Sequence, residues 1–287
     1  MTAVFKRELK SYFDGMTGYF FAAFLIFLAG MYTMIYCFKN LYPYYEYVIY
    51  ELCFFYLIAI PILTMKSIAE DKKQKTDQLL YSLPLSMVQI VMGKFLAMAV
   101  MLLLPVGIMA VIPIILKQYG PVNFATGYGS LFAFYLLGCA LIAVGLFLSS
   151  LTENQIVAAV MCFFAVLICY LSVGLSNYVP TDAASSFVAF LAVMLLFAVL
   201  VYFITKSKIT AFSVGIIGEV AITILFFVKK SVFESAFQKV LLQCSLFQRL
   251  MNFINGMFDL TTIVYYLSII FLFLFFTVQV MEKRRWN

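Results

Sequence analysis

Long uncharged apolar runs alternate with short polar stretches along the whole chain. The first run, Gly18–Phe38, has 21 residues and no charged side chain. A helix of that length crosses the roughly 30 Å hydrocarbon core of a bilayer. Similar runs recur, so the sequence predicts an all-α polytopic membrane protein with about eight transmembrane helices. The predicted spans are Gly18–Phe38, Tyr47–Met65, Phe95–Leu116, Tyr128–Ser150, Ile156–Ser176, Ser186–Thr205, Ile209–Val228 and Leu260–Met281. The second and seventh each carry an acidic residue, which makes the predicted range six to eight.

The longest polar interruption lies between the second and third spans and is called here the polar segment 66–94. It contains five lysines and three acids. Its polar part leads into Leu79, Leu80 and Leu83, and then into Pro84. An apolar face beside charges is typical of a helix that binds in a groove of a partner. We therefore predict a short helical hairpin at the membrane–water boundary; a solvated loop is the alternative interpretation.

The N-terminal residues 1–16 are amphipathic and precede an apolar run that is too long for a cleaved signal peptide. They are predicted to form an interfacial helix. This helix either anchors the chain on anionic lipid or helps to seat a partner, and the two roles are compatible. The residues that we expect to act in it are Phe5, Arg7, Leu9, Tyr12 and Phe13.

A second amphipathic segment occupies residues 229–259. Its apolar side chains recur at steps of three and four, which is the pattern of one helical stripe. They are Phe233, Phe237, Val240, Leu241, Cys244, Phe247, Met251 and Ile254. We expect this segment to lie on the outer membrane surface or across the outer mouth of the bundle.

Charge sets the expected orientation. The chain is 65% hydrophobic and 11% charged, with a net charge of +6. If the N-terminus is cytoplasmic, 13 of the 19 lysines and arginines fall in inner segments and 6 in outer ones. The positive-inside rule then places both termini and the polar segment 66–94 in the cytoplasm. The basic residues are scattered among loops, so no nucleic-acid-binding patch is predicted.

Composition excludes several kinds of chemistry. The chain has no histidine, which excludes Ser-His-Asp and Cys-His nucleophilic systems as well as His-ligated metal sites. It also has no GxxxxGK[ST] phosphate loop, so it is not expected to hydrolyse ATP. No catalytic residue, metal ligand or bound cofactor is predicted. The six cysteines show no CxxC spacing, although Cys37 and Cys53 flank one predicted loop and can in principle pair.

Glu219 is the one acid deep inside a predicted span. Such a residue costs about 2.5–3.5 kcal/mol at the bilayer centre on insertion scales, so it should face the interior or a wet cavity. A structural hydrogen bond and a place on a substrate path are both open interpretations.

Three stretches in order along the chain resemble one family. They are FKRELKSYFDGMTGYFF at the N-terminus, PILTMKSIAEDKKQKTDQLLYSLPLSMVQIVMGK in the centre and FINGMFDLTTIVYYLSIIFLFLFFTVQVMEKRRWN at the C-terminus. The first is similar to the opening of ABC-2 type permeases. The second is similar to their cytoplasmic segment, with the pattern E-[DE]-K-…-T-x-[DE]-x-L-L-x-[ST]-x-P-[LV]-S. The third resembles the last span of the gliding-motility-type branch.

The resemblance implies a single ABC-2 type transmembrane domain over residues 1–287 in a bacterial cytoplasmic membrane. It implies an exporter that works by alternating access, as a homodimer or heterodimer with two copies of an ABC ATP-binding subunit, which holds the ATP and Mg. An accessory extracytoplasmic subunit is a further expected partner, beside the lipid bilayer. The positions that would contact the ATPase are Glu70, Asp71, Thr76, Asp77, Leu79, Leu80 and Pro84. The commonest form of the family has six spans, so the extra pair here leaves the substrate class open.

Two alternatives from other classes stay open. An ion-coupled secondary transporter would carry paired broken helices and inverted repeats, and the sequence shows neither. A membrane-embedded enzyme is disfavoured by the lack of histidine and the scarcity of polar residues in the spans.

Overall fold

The computed structural model describes residues 2–39, 44–76, 86–178, 181–205, 208–228 and 233–286. All regular secondary structure in these ranges is helical, which confirms the all-α prediction. The helices are α1 Thr2–Asp14, α2 Met16–Thr33 with a π-helical end Met34–Lys39, α3 Tyr45–Phe54, α4 Tyr56–Thr64, α5 Ala69–Lys73, α6 Met87–Met109, α7 Ile112–Leu116, α8 Phe124–Leu151, α9 Gln155–Tyr178, α10 Ala183–Thr205, α11 Lys208–Val228, α12 Ala236–Cys244, α13 Leu246–Ile254 and α14 Leu260–Trp286.

Within the described residues, five helical stretches are long and apolar enough to cross a membrane. They are Met16–Lys39, Met87–Leu116, Phe124–Leu151, Gln155–Ser176 and Leu260–Arg284. The bent pair α3–α4 gives a sixth if it counts as one span. The other two predicted spans, Ser186–Thr205 and Ile209–Val228, fall within the helices α10 and α11. The predicted total of eight and the cytoplasmic termini stay predictions.

The second predicted span is not one continuous helix. It breaks at Phe55, where the chain bends by 57° between the helical stretches Tyr45–Phe54 and Tyr56–Lys73. At the break the Phe55 N–H donates to Leu52 O, three residues back, instead of continuing the α-helical ladder. The Phe55 ring lies edge-on to Phe24 and Tyr32 of α2, with centroid distances of 6.1 and 5.8 Å.

The third span begins earlier than predicted. A capping box starts α6 at Met87: Ser86 Oγ accepts from Gln89 N at 3.3 Å, and Gln89 Oε1 accepts from Ser86 N at 3.4 Å. These two bonds satisfy donors that a helix start leaves free. Lys94 therefore lies inside the helix, whereas the sequence interpretation ended the polar segment at Lys94. Further along, α6 ends four residues after Pro105.

The chain divides into two compact units. Unit 1 contains Met1–Ile168 with Leu246–Asn287, and unit 2 contains Cys169–Ser245. In unit 1, α8 is the most enclosed of the candidate spans, and α3, α4, α6, α13 and α14 pack against it. Gly145 of α8 permits this close packing, because a Cβ there would lie 2.5 Å from Thr64 Oγ1 of α4. Cys37 and Cys53 are both free and buried in this unit.

In unit 2, α10 packs on α11 and α12, and the rings of Phe187, Phe190, Phe226 and Phe233 form one aromatic cluster. The predicted outer stripe is not one helix. It forms α12 and α13, which are separated at Ser245 and belong to different units.

Candidate functional site

Polar groups from three elements of unit 1 meet at the side chain of Lys94. This lysine is 1% exposed. Its Nζ donates to Glu8 Oε1 of α1 at 2.9 Å, to the Ser67 carbonyl at 2.6 Å and to Asp71 Oδ2 of α5 at 2.6 Å. An ammonium group has three donors, so three acceptors satisfy it fully. The residues Arg7, Glu8, Ser67, Asp71 and Lys94 are called here the Lys94 cluster.

Arg7 supplies the second cation of the cluster. Its Nη2 lies 2.5 Å from Glu8 Oε1 and 3.6 Å from Asp71 Oδ2. Partial burial works against the charged guanidinium, but the hydrogen bond and the charge of Glu8, together with the charge of Asp71, outweigh it and raise the pKa of Arg7. Two cations therefore face two carboxylates, and the cluster is neutral as a whole.

This charge balance explains how a lysine is tolerated in so enclosed a position. Taking an ion out of water costs several kcal/mol, and close partners with good geometry are needed to offset that cost. The partners here come from α1, α5 and the turn that follows α4, and the lysine comes from α6. The cluster consequently connects α1, α5 and the turn before α5 to α6, one of the candidate spans.

Tyr12 makes a second connection between α1 and the end of the broken span. Its buried hydroxyl donates to the Leu63 carbonyl of α4 at 3.0 Å. Carbonyls in the last turn of a helix lack a helical partner, and this bond satisfies one of them. Burial, with the charges of Glu8 and Asp71 added, raises the pKa of Tyr12, so its phenol remains a donor at neutral pH.

The start of the polar segment is also bound to the end of α8. The N–H groups of Ile68 and Ala69 donate to Ser149 Oγ at 3.3 and 3.1 Å. Lys72, which is 5% exposed, donates from Nζ to the Ser150 carbonyl. A cation is favourable at the carbonyl end of a helix. Residues 67–72 are thus packed against the rest of unit 1, while residues 73–75 are exposed.

A polar cleft of about 420 Å³ lies beside the Lys94 cluster, between α1 and α5. Glu70 and Gln74 form part of its wall and are joined by a hydrogen bond of 3.0 Å from Gln74 Nε2 to Glu70 Oε1. Thr76 donates from Oγ1 to Asp71 Oδ1 at 2.9 Å. Acidic, basic and amide groups are therefore presented together at one end of unit 1, where a partner's polar side chains can reach them.

The structure places some of the predicted site residues close together, and others lie outside the residues that it describes. Glu70 and Asp71 line one cleft with Arg7 and Tyr12 of α1, and Thr76 is hydrogen-bonded to Asp71. The half-buried members of α1 are Phe5, Leu9 and Phe13. The predicted contacts Asp77, Leu79, Leu80 and Pro84 lie outside the described residues.

Glu8 and Lys94 were missed as site residues. Lys94 was interpreted only as an orienting charge at the end of a loop. The S-x-x-Q pattern at Ser86 was the available signal, because a capping box there starts the helix early and places Lys94 within it. Nothing in the sequence pattern pairs Glu8 with a residue 86 positions away.

Glu219 lies in α11 of unit 2 and is partly exposed. Its backbone carbonyl accepts from Thr223 Oγ1 at 2.7 Å. No ion pair joins it to any lysine or arginine in the described part of the chain. Across the same residues, no three acidic or cysteine side chains are grouped so that they could hold a metal ion.

No family model matches this chain, and neither a curated protein nor a solved structure matches it. The class of protein therefore rests on the fold. The described residues are helical, and several of the helices are long and apolar enough to span a bilayer, which defines a helical membrane protein.

Proposed function

We propose that this chain is the transmembrane permease subunit of an ATP-driven ABC exporter in a bacterial cytoplasmic membrane. It moves its substrate by alternating access, and a separate ATP-binding subunit supplies the energy. The working complex contains two permease chains and two ATPase chains, and the ATP and Mg are bound by the ATPase. The Lys94 cluster is the observation that carries this proposal.

The cluster supports coupling to an ATPase because it attaches α5 rigidly to the membrane helix α6. A force applied to an unattached loop is absorbed by the loop. Here Asp71 is bound to α6 through Lys94, and Lys72 is bound to the end of α8. A displacement of α5 therefore moves the ends of two membrane helices, and Glu8 moves α1 with them.

The exposed side of the same element supports docking. Lys73 and Gln74 are exposed, and Arg7 has 47% of its side chain accessible. In the sequence the apolar Leu79 and Leu80 follow after the polar residues 75–78. A short polar helix followed by an apolar face is the kind of surface that binds in a partner's groove.

The experiment is to purify the chain from its own host in mild detergent after cross-linking in the membrane, and to identify what accompanies it. We expect a stoichiometric ATP-binding subunit, which is lost when Leu79→Arg and Leu80→Arg are combined. The matched control adds the same two charges to exposed positions elsewhere, as Gln118→Arg with Tyr119→Arg, and should retain the subunit. If cross-linked wild-type protein carries no ATPase and transport continues after ATP depletion, the chain is an ion-coupled transporter and the proposal is wrong.

A further inference from the structure

A cavity of about 720 Å³ opens at the end of α2 that lies away from the Lys94 cluster. Pockets that bind small molecules have volumes of about 300–1,000 Å³, with aromatic walls and a few placed polar groups. This cavity has three tyrosines, one carboxylate and two further polar side chains in its wall. They are Tyr36, Tyr44, Tyr47, Glu46, Thr126 and Asn255, and all belong to unit 1.

The tyrosines are arranged as separate walls. The rings of Tyr44 and Tyr47 have centroids 6.2 Å apart and planes at 80° to each other. Tyr36 is stacked on Tyr32 at 6.0 Å, and its hydroxyl donates to Glu51 Oε1 at 3.4 Å. Electron-rich ring faces are what aromatic cages use to hold ammonium groups, and this edge-to-face pair of rings shares the cavity wall with Glu46.

The backbone also departs from a regular helix where Tyr36 is located. Residues Met34–Lys39 form a π-helical turn at the end of α2. Such turns are rare and occur frequently at functional sites, because the wider turn redirects the side chains that follow. Here the wider turn contains a residue of the cavity wall.

Glu46 gives the cavity its charge. It lies in the first turn of α3, is 7% exposed and has the Thr126 hydroxyl as a neighbour. The N-terminal end of a helix favours a negative charge. No lysine or arginine of the described chain forms an ion pair with it. The Thr126 hydroxyl is a neutral neighbour, so a cationic ligand would supply an opposite charge that the described residues do not place beside Glu46.

An aromatic belt at the membrane surface accounts for exposed tyrosines, of which Tyr47 is one at 51% exposed. A belt does not require a cavity with a buried carboxylate in its wall. The combination of the cavity, its tyrosine rings and a Glu46 carboxylate that forms no ion pair within the described residues therefore indicates a ligand, and the charge of Glu46 indicates its sign.

We propose that this cavity binds a small organic cation, a quaternary or substituted ammonium, with its charge beside Glu46 and against the tyrosine rings of the wall. A neutral molecule of the same shape makes the ring contacts but forms no ion pair with Glu46. An anion is repelled by the charge of Glu46. The binding does not depend on an ATPase partner, since the whole cavity belongs to this chain.

The test measures binding of radiolabelled choline to the purified full chain in an uncharged detergent. The competitor is 3,3-dimethylbutan-1-ol, which has the same shape with a neutral carbon in place of the nitrogen. We expect saturable choline binding, and competition by the alcohol at least tenfold weaker than by unlabelled choline. We expect Glu46→Gln to weaken binding about tenfold or more, and Tyr47→Leu to weaken it more than Tyr47→Phe, which keeps the ring.

The control Tyr119→Leu removes an exposed tyrosine that does not line the cavity and should leave choline binding unchanged. If Glu46→Gln does not yield folded protein, the Tyr47 pair carries the test, because Tyr47 is half exposed and tolerates replacement. Equal competition by choline and the alcohol would overturn the proposal. Equal binding by the Tyr47→Leu and Tyr47→Phe variants, or no saturable choline binding, would also overturn it.

Discussion

Lys94 Nζ lies 2.6 Å from Asp71 Oδ2, although the two residues belong to different helices and are 23 positions apart. The lysine is almost entirely enclosed, while the aspartate retains 19% of its side-chain exposure. One end of the pair is therefore part of a membrane span, and the other end belongs to a surface element. The contact therefore connects α5 to the candidate span α6.

Removing the lysine leaves Glu8 and Asp71 enclosed with only Arg7 beside them. Breaking a buried ion pair costs about 3–5 kcal/mol, and we expect Lys94→Ala to fall near the lower limit because Arg7 remains. The measurement is the free energy of unfolding of the purified protein in detergent. Lys10→Ala removes an exposed lysine of α1 and should change stability by less than about 0.5 kcal/mol. Equal effects of the two variants would show that the cluster does not hold unit 1 together.

The coupling within the Lys94–Asp71 pair is measurable apart from the cost of each substitution. A double-mutant cycle with Lys94→Gln and Asp71→Asn should give an interaction energy within about 0.5–3 kcal/mol, as for residues in one hydrogen-bonded network. The same cycle with Lys10→Gln in place of Lys94→Gln should give no interaction energy. Additive effects in the first cycle would contradict the pairing.

Tyr12→Phe removes only the hydroxyl that donates to the Leu63 carbonyl. The phenyl ring still fills its site, so the loss is that of one buried hydrogen bond, about 1–3 kcal/mol when a carbonyl is left unsatisfied. Tyr19→Phe, at a position that is 61% exposed, provides the control and should leave stability unchanged. The thermal midpoints of the two variants, measured side by side, decide the question; a Tyr12→Phe midpoint equal to that of the wild type would mean that this bond does not stabilise α1.

Asp259 makes the start of α14 sensitive to acid. Hydrogen bonds from Thr261 and Thr262, and from Asn252, hold the pKa of this carboxyl well below its ordinary value of 3.8. Its contribution to stability is therefore present above that value and is lost as the pH falls toward the lowered pKa. Hydrogen exchange at the Thr261 amide should accelerate on acidification below about pH 4, after correction for the intrinsic rate, and Asp259→Asn should remove this acceleration. Asp14→Asn, at an exposed position, should leave it in place.

Several features were predictable because they depend on composition over many residues. Runs such as Gly18–Phe38 are long enough that hydrophobicity alone predicts a membrane helix, and the structure has Met16–Lys39 in that place. The amphipathic pattern of the first residues likewise predicted a helix, which is α1.

The remaining features depend on contacts that no local pattern contains. The break at Phe55 coincides with rings of α2, which lie more than twenty residues earlier. In the sequence, Lys94 looks like one of the lysines that set the orientation of the chain in the membrane. Only the fold shows that Glu8 and Asp71 neutralise its charge. The apolar stripe within residues 229–259 has one helical period, yet the helix is interrupted at Ser245.

We propose, as the central claim, that α5 contacts an ATP-binding subunit and transmits the motion of that subunit to the membrane spans. The most direct measurement places a photo-cross-linking residue at Lys73, which is exposed on α5, and irradiates intact cells. The same residue at Gln118, also exposed, is the control. We expect an ATP-binding protein cross-linked at position 73 and not at position 118. Absence of such a protein at position 73, or its equal capture at both positions, would contradict the account.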